Sequence, residues 1–201
     1  MIAPFLRAGG TIGICSPSHV ADAEKYHIVI DQIRRKGYRV VEAHNLYSRT
    51  DGYAATPAER ANDFNTLVAN PDVELILFGG GEGSNELLPL IDFEAVKTHP
   101  KRICSYSDGT TILDAVWAKT GLETYYGFAP MLFADLRCYD YEQFLMHLVN
   151  GNGTCDHVPN SRWLSLAPGA AEGALCGGYA RNFAMMLNTD YFPVNLSRKY
   201  V

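Results

Sequence analysis

The sequence lacks the features that would place it in a membrane, in a secretory route or on nucleic acid. No apolar run approaches the roughly 20 residues that a membrane-spanning helix needs. The N-terminal stretch MIAPFLRAGGTIGICSPS lacks the basic start and continuous apolar segment of a signal peptide. A net charge of -5 provides no basic stripe for nucleic acid. We therefore expect a cytoplasmic protein that binds neither membranes nor nucleic acid.

Metal and cofactor motifs are also lacking. The five cysteines, at positions 15, 104, 138, 155 and 176, form no Cys-x-x-Cys pair, so we expect free and mostly buried thiols. The glycine-rich stretch that begins at Gly79 lacks the Gly-Lys-Ser/Thr of a phosphate-binding Walker loop. It also departs from a dinucleotide fingerprint, since Glu86 stands where a third glycine would follow Gly81 and Gly83. We expect neither a metal nor a cofactor.

Strand and helix patterns alternate along most of the chain. Continuous apolar runs predict strands, and apolar residues at helical spacing between capping signals predict helices. The predicted strands are 11–16, 38–43, 73–78 and 102–106, and the predicted helices are 21–36, 56–69, 84–90, 109–119 and 136–149. Strands that are apolar throughout are typical of a parallel sheet covered on both faces. The sequence therefore predicts an α/β fold with its site at the carboxyl ends of the strands.

A serine follows the fourth predicted strand, at that edge of the sheet. The stretch Ser105-Tyr106-Ser107-Asp108-Gly109 is the Gly-x-Ser-x-Gly of a nucleophile elbow with serine in place of the first glycine. Ser107 is therefore a candidate nucleophile, and the helix start behind it offers backbone N–H groups to an oxyanion. The alternative is a plain helix cap, because serine and aspartate commonly precede helices for that reason alone.

Two more loops are expected at the same edge, at 15–19 and 79–85. The glycines of the second loop let a backbone approach a ligand closely, but the same spacing also serves a tight strand-to-helix connection. None of the six histidines can be assigned as a general base from the sequence. His19 is the one histidine that falls near the predicted site, so a direct role for it stays open. Cys104 lies on a strand, which favours a buried and inert thiol.

Taken in order, these motifs resemble a known family. The stretches FGGGEGSNELLPLID and ICSYSDGTTILDAVWAKTGLETYYG resemble the central block of the LD-carboxypeptidases, which include muramoyltetrapeptide carboxypeptidase and the microcin C self-immunity peptidases. TIGICSPS is similar to the family's first strand, GYAATPAERANDFN to its second crossover, and GALCGGYARNFAMMLNTDYFP to the start of its C-terminal domain. The resemblance implies a parallel flavodoxin-like sheet flanked by helices, followed by the start of a truncated C-terminal domain.

The resemblance also implies a role for each site residue. Ser107 matches the nucleophile, and the N–H of Asp108 with that of Gly81, or alternatively Gly80, would form the oxyanion hole. The implied substrate-binding residues are Gly83, Ser84 and Asn85. The implied substrate is either a small peptide, from which the family releases a terminal D-amino acid, or an acyl-nucleotide compound, as in the microcin branch. The motif SNELLP is closer to that of the microcin branch. The resemblance further suggests a homodimer.

Three positions depart from the family pattern. Gly79 stands where the family often has arginine, Ser105 replaces the first glycine of the elbow, and Tyr179 replaces the asparagine after the glycine pair that opens the second domain. The family's triad is completed by a glutamate and a histidine of the C-terminal domain, both expected beyond Val201.

These departures lead to an expected domain organisation and two expectations for activity. We expect an N-terminal α/β domain at 1–134, a connecting helix and linker at 135–169, and the beginning of a truncated C-terminal domain at 170–201. The expected activity is that of a serine carboxypeptidase, inactive as this chain because its acid–base pair is missing. The alternative is a catalytically dead binding module.

Overall fold

A five-stranded parallel sheet is the centre of the fold in the computed structural model, which describes residues 1–19, 21–50, 53–151, 159–170 and 172–192. The strands of the chain are β1 (Thr11–Cys15), β2 (Arg39–Glu42), β3 (Arg49–Thr50), β4 (Tyr53–Ala54), β5 (Val73–Phe78), β6 (Arg102–Ser105) and β7 (Tyr125–Tyr126). The sheet has the order β2-β1-β5-β6-β7, while β3 and β4 pair separately as an antiparallel hairpin. Without the hairpin, this is the doubly wound order 2-1-3-4-5, so the predicted α/β parallel fold is confirmed.

Helices connect the strands, and some of them begin or end at recognisable signals. They are α1 (Ala23–Arg35), α2 (Pro57–Ala69), α3 (Phe93–Thr98), α4 (Thr110–Thr120), α5 (Cys138–Phe144) and α6 (Ala180–Met185). Helix α2 starts with the predicted capping box, in which Thr56 and Glu59 bond each other's backbone N–H groups. Helix α4 is capped at its C-terminus by Gly121, whose φ of 71° is unfavourable for a residue with a side chain.

Several elements differ from the sequence prediction. The short helix predicted at 84–90 is a 3₁₀ helix, Ser84–Leu90, with Pro89 inside it. The predicted helix 136–149 divides into α5 and a π-helical turn at Leu145–Val149. The sequence patterns missed α3, β7 and the hairpin, because each is short and carries little periodicity.

Apolar residues of the strands point to both faces of the sheet and divide the core in two. On β5, Ile76 and Phe78 pack with α2 and α4 on one face, while Leu75 and Leu77 pack with α1 and Phe144 on the other. Such double coverage explains why the strand is apolar throughout rather than alternating. It also leaves the carboxyl edge of the sheet as the place where loops converge.

The C-terminal part of the described chain packs on α4 through α6 and on Phe93 of α3 through Tyr191. Residues 159–170 form neither helix nor strand, and 152–158, which complete the predicted linker, lie outside the described residues. Leu175 is 93% exposed, whereas Met186 is buried in the core at 1% exposure. The proposed domain boundaries stay a prediction.

Two further findings concern the described residues alone. None of their helices is both long and apolar enough to cross a membrane. Cys15 and Cys104 are buried free thiols, and burial raises the pKa of Cys104 to about 12, so the expectation of an inert thiol there fits. Cys138, in contrast, is exposed.

Candidate active site

The three loops predicted to meet at the carboxyl edge of the sheet do meet there. The backbone N–H of Glu82 donates to the carbonyl of Ser18 over 2.8 Å, which joins the loop after β5 to the loop after β1. The hydroxyl of Ser105, at the end of β6, donates to the carbonyl of Phe78 at the end of β5 over 2.8 Å. These contacts bring the glycine loop beside the serine turn.

Ser107 lies on a sharp turn between β6 and α4. Its φ of 54° is in the left-handed region, which is strained for a residue with a side chain. Its N–H donates to the hydroxyl of Tyr126 over 3.1 Å, and its carbonyl accepts from the hydroxyl of Thr110 over 2.6 Å. In the described chain neither the turn nor α4 has a side-chain cap, so the interpretation of Ser107 as a plain helix cap is wrong.

The glycine loop approaches Ser107 with its backbone. A Cβ added to Gly80 would lie 2.6 Å from Ser107 Cβ and 3.2 Å from its Oγ, so only glycine allows this approach. Gly81 lies against the carbonyl of Ser18 on the other side of the loop. The arrangement suits backbone N–H donors placed beside a reacting serine, although the oxyanion roles of Gly80, Gly81 and Asp108 stay predictions.

Asp108 and Ser84 are buried and bonded to each other. The Asp108 carboxylate accepts from the Ser84 N–H over 2.8 Å, and the Ser84 hydroxyl donates to the Asp108 carbonyl over 2.7 Å. Ser84 is fully buried, so its geometry favours a structural role over the predicted contact with substrate. The substrate-binding roles of Gly83 and Asn85 stay predictions.

His19 lies at the site but not beside the serine. Its Nε2 and the hydroxyl of Tyr26 are 3.0 Å apart, and its ring packs where a Cβ of Gly79 would be, at 2.7 Å. Burial lowers the pKa of His19, which favours a neutral ring. Since Gly79 contacts His19 and Gly80 contacts Ser107, the glycine loop lies between the two side chains. His19 is therefore badly placed to act as the base of Ser107.

Arg60 is a residue of the site that the sequence patterns did not indicate. Its side chain, on α2, is 2% exposed. It donates to the carbonyls of Ala55 (2.7 Å), Pro17 and Gly83 (3.2 Å), and it pairs with Glu86 over 2.6 Å. The guanidinium thus holds the loop after β1 to the glycine loop. An arginine on an amphipathic helix usually indicates a solvated face, so no local signal could have shown its burial.

The described residues contain no group of three or more His, Cys, Asp or Glu side chains close enough to hold a metal ion. Within the same residues, the Ser107 hydroxyl has no hydrogen-bonded base. What the site does present is a serine on a strained turn, backed by a helix start and faced by a glycine loop. The predicted nucleophile role of Ser107 is compatible with this geometry and stays a prediction.

Comparison with known proteins assigns the chain. The family model described as "LD-carboxypeptidase N-terminal domain" matches residues 12–127. The chain belongs to the LD-carboxypeptidase family. The sequence resemblance is thereby confirmed, and the family is one of serine carboxypeptidases.

Curated relatives of the chain include a microcin self-immunity protein and a protein named as a carboxypeptidase. The chain is 41% identical over 132 residues to the Microcin C7 self-immunity protein MccF of Escherichia coli, covering 63% of this chain and 38% of that protein. It is 30% identical over 218 residues to YocD of Bacillus subtilis (strain 168), which carries a provisional carboxypeptidase name, covering 96% of this chain and 67% of YocD. Nearly all of this chain aligns with YocD, and it spans about two thirds of the length of YocD.

Solved structures of the family share the fold. The structure of MccF without ligand superposes with a TM-score of 0.82 at 30% identity, covering 96% of this chain and 67% of that one. A muramoyltetrapeptide carboxypeptidase from Oxalobacter formigenes gives a TM-score of 0.77 at 23% identity, covering 91% and 62%, a likeness of fold alone.

Proposed function

We propose that the protein is a serine carboxypeptidase of the LD type, which releases a terminal D-amino acid from a muropeptide through an acyl-enzyme on Ser107. The observation that carries the proposal is the turn of Ser107, whose φ is 54° and whose side chain faces the backbone of Gly80. Left-handed φ values at non-glycine residues cost free energy and persist only where the surrounding structure imposes them. Such residues are concentrated at active sites.

The chemistry follows from that turn. The Ser107 Oγ attacks the scissile carbonyl carbon and its proton passes to a base. Backbone N–H groups of Asp108 and Gly81, or Gly80, stabilise the oxyanion that forms. The tetrahedral intermediate then collapses, the amine of the D-amino acid leaves with a proton, and water hydrolyses the Ser107 ester. We place the base outside the described residues, because in them Ser107 has no basic partner and His19 faces Gly79.

The first test is an intact-mass spectrum of the purified protein after treatment with a fluorophosphonate probe. The spectrum reports the mass of the chain and whether a serine has reacted with the probe. We expect one adduct on Ser107, absent in Ser107→Ala and present in the matched control Ser165→Ala, whose serine is exposed and bonds only locally. Hydrolysis of a muropeptide by the longest form that the gene encodes should likewise disappear in Ser107→Ala. An adduct or turnover that persists in Ser107→Ala refutes the nucleophile assignment.

A second candidate substrate is an acyl-nucleotide compound. It is favoured by the 41% identity to MccF and by solved structures of MccF with adenosine monophosphate and with aspartyl sulfamoyl adenosine. Parallel assays with a muropeptide and an aminoacyl sulfamoyl adenosine would separate the two substrates by their kcat/KM. Calorimetry addresses the binding module: affinity for either compound without turnover or adduct would support it and refute the peptidase.

A further inference from the structure

The carboxylate of Asp108 lies where three separate segments of the chain meet. It belongs to the serine turn, it accepts from the N–H of Ser84 in the glycine loop over 2.8 Å, and it accepts from the side-chain amide of Asn182 on α6 over 2.5 Å. Asp108 and Asn182 are 3% and 6% exposed, so both groups are removed from water. Sequence motifs gave Asp108 a role through its backbone N–H alone.

A second connection joins the same segments. The Thr110 hydroxyl accepts from the N–H of Tyr179 over 2.9 Å and donates to the carbonyl of Ser107 over 2.6 Å. The segment that contains Tyr179 and Asn182 therefore reaches the serine turn at two points. At one of these points Asn182 bonds the carboxylate of Asp108, which also accepts from Ser84 in the glycine loop.

The carboxylate is held by N–H donors rather than by a cation. No ion pair among the described residues involves Asp108, and its two oxygens each accept from one donor. A buried carboxylate is costly without such bonds, and charge-assisted bonds to N–H groups are stronger than neutral ones. Both donors require an acceptor, so a group that offers one acceptor satisfies only one of the two segments.

We propose that Asp108 and Asn182 are positioning residues, which fix the glycine loop and the serine turn in the relative arrangement that the oxyanion needs. The kinetic consequence rests on the proposed function, while the structural coupling does not. If the pair acts in this way, bond formation at Ser107 depends on a hydrogen bond from Asn182 of α6, which lies 74 residues after Asp108 in the chain. Small displacements of donors around a reacting atom reduce rates by orders of magnitude.

Exchanging the two side chains tests the proposal. In Asp108→Asn, the new amide offers one acceptor and one donor, so either Ser84 or Asn182 faces a donor. In Asn182→Asp, two carboxylates face each other. In the double variant, the amide at position 108 accepts from Ser84 and donates to the carboxylate at position 182, so both bonds are restored, one of them with its direction reversed. Asp31→Asn, on the exposed face of α1, is the matched control.

Labelling of Ser107 by the fluorophosphonate probe gives the kinetic readout. We expect each single variant to lower kinact by about 10- to 100-fold with KI little changed, and the double variant to recover to within about threefold of the wild type. Measurements at a temperature where every variant is folded separate this effect from stability. Single variants that lose melting temperature but keep kinact, or a double variant no faster than the singles, would overturn the positioning role.

Hydrogen–deuterium exchange gives a readout that needs no activity. Amides of the glycine loop and the serine turn should exchange faster in each single variant and return to the wild-type rate in the double variant. If the wild type does not label at Ser107, the proposed function fails, and the exchange pattern decides the coupling by itself. Unchanged exchange in both single variants refutes the coupling whatever the activity.

Discussion

The buried carboxyl of Asp114 should make the protein less stable as the pH rises. Asp114 lies on α4 at 4% exposure, and one of its oxygens accepts from the N–H of Gly177 over 3.2 Å. Its other oxygen, Oδ2, has no hydrogen-bond partner in the described chain. Burial raises the pKa of Asp114 to about 6, and the Gly177 N–H opposes that rise only in part.

The sign and magnitude follow from that raised pKa. An aspartate has a pKa near 3.8 when unfolded, so between these values the folded protein binds more protons than the unfolded chain. The contribution to stability is therefore fully present below about pH 4 and is lost as the pH rises through 6. A difference of this size between the folded and unfolded pKa corresponds to about 3 kcal/mol as an upper bound. Asp114→Asn removes the charge and keeps the acceptor for Gly177, but its new amide lacks an acceptor, so we expect a gain of about 1–3 kcal/mol at pH 8.

Denaturant titrations of both proteins at pH 4 and pH 8 measure the effect. We expect Asp114→Asn to have a larger free energy of unfolding than the wild type at pH 8 and no larger one at pH 4, and thermal unfolding at pH 8 should show a melting temperature several degrees higher. Asp31→Asn, whose carboxylate is exposed, should follow the wild type at both values. A difference between Asp114→Asn and the wild type that is the same at pH 4 and pH 8 would refute the reasoning.

Two other substitutions probe the loops of the site. Gly80→Ala places a Cβ 2.6 Å from Ser107 Cβ and should slow fluorophosphonate labelling by about 100-fold or more. The control Gly169→Ala, which has open space around its Cβ, should label at the wild-type rate. Equal labelling rates for the two variants would contradict the close approach of Gly80 to Ser107. Arg60→Met leaves buried carbonyls without donors and should lower the free energy of unfolding by about 2–5 kcal/mol. The exposed Arg34→Met should lower it by less than about 1 kcal/mol. Similar losses for both variants in denaturant titrations would contradict a stabilising role of the buried Arg60 hydrogen bonds.

The elements that could be predicted from the sequence are those whose signals are local. The bounds of β5 were predicted correctly because VELILF is a continuous apolar run followed by glycine. The start of α2 was predicted because a capping box needs only residues three apart. The elbow frame around Ser107 was found for the same reason, since strand, turn and helix follow one another in the chain.

What could not be predicted depends on contacts between distant segments. Strand β7 has two residues, and its place at the sheet edge follows from pairing with β6. The burial of Arg60 requires carbonyls from two other loops, and the bond from Asn182 to Asp108 spans 74 residues. Ser84 resembled a substrate ligand in its motif, yet tertiary packing buries it completely. Local patterns therefore indicated which loops meet at the candidate site, but not the side chains that hold those loops together.

The strain at Ser107 is the strongest argument that the site serves chemistry rather than stability. A left-handed φ at a residue with a Cβ costs roughly 1–2 kcal/mol, and glycine at that position would relieve it. A helix could begin here without the strain, since a capping serine takes an extended backbone. Instead, Ser107 donates its N–H to the Tyr126 hydroxyl and accepts at its carbonyl from the Thr110 hydroxyl, so the turn is held on both sides. These bonds keep the turn in an unfavourable conformation, in which the Ser107 side chain lies toward Gly80. That position suits a nucleophile facing backbone N–H groups, whereas a helix cap does not require it.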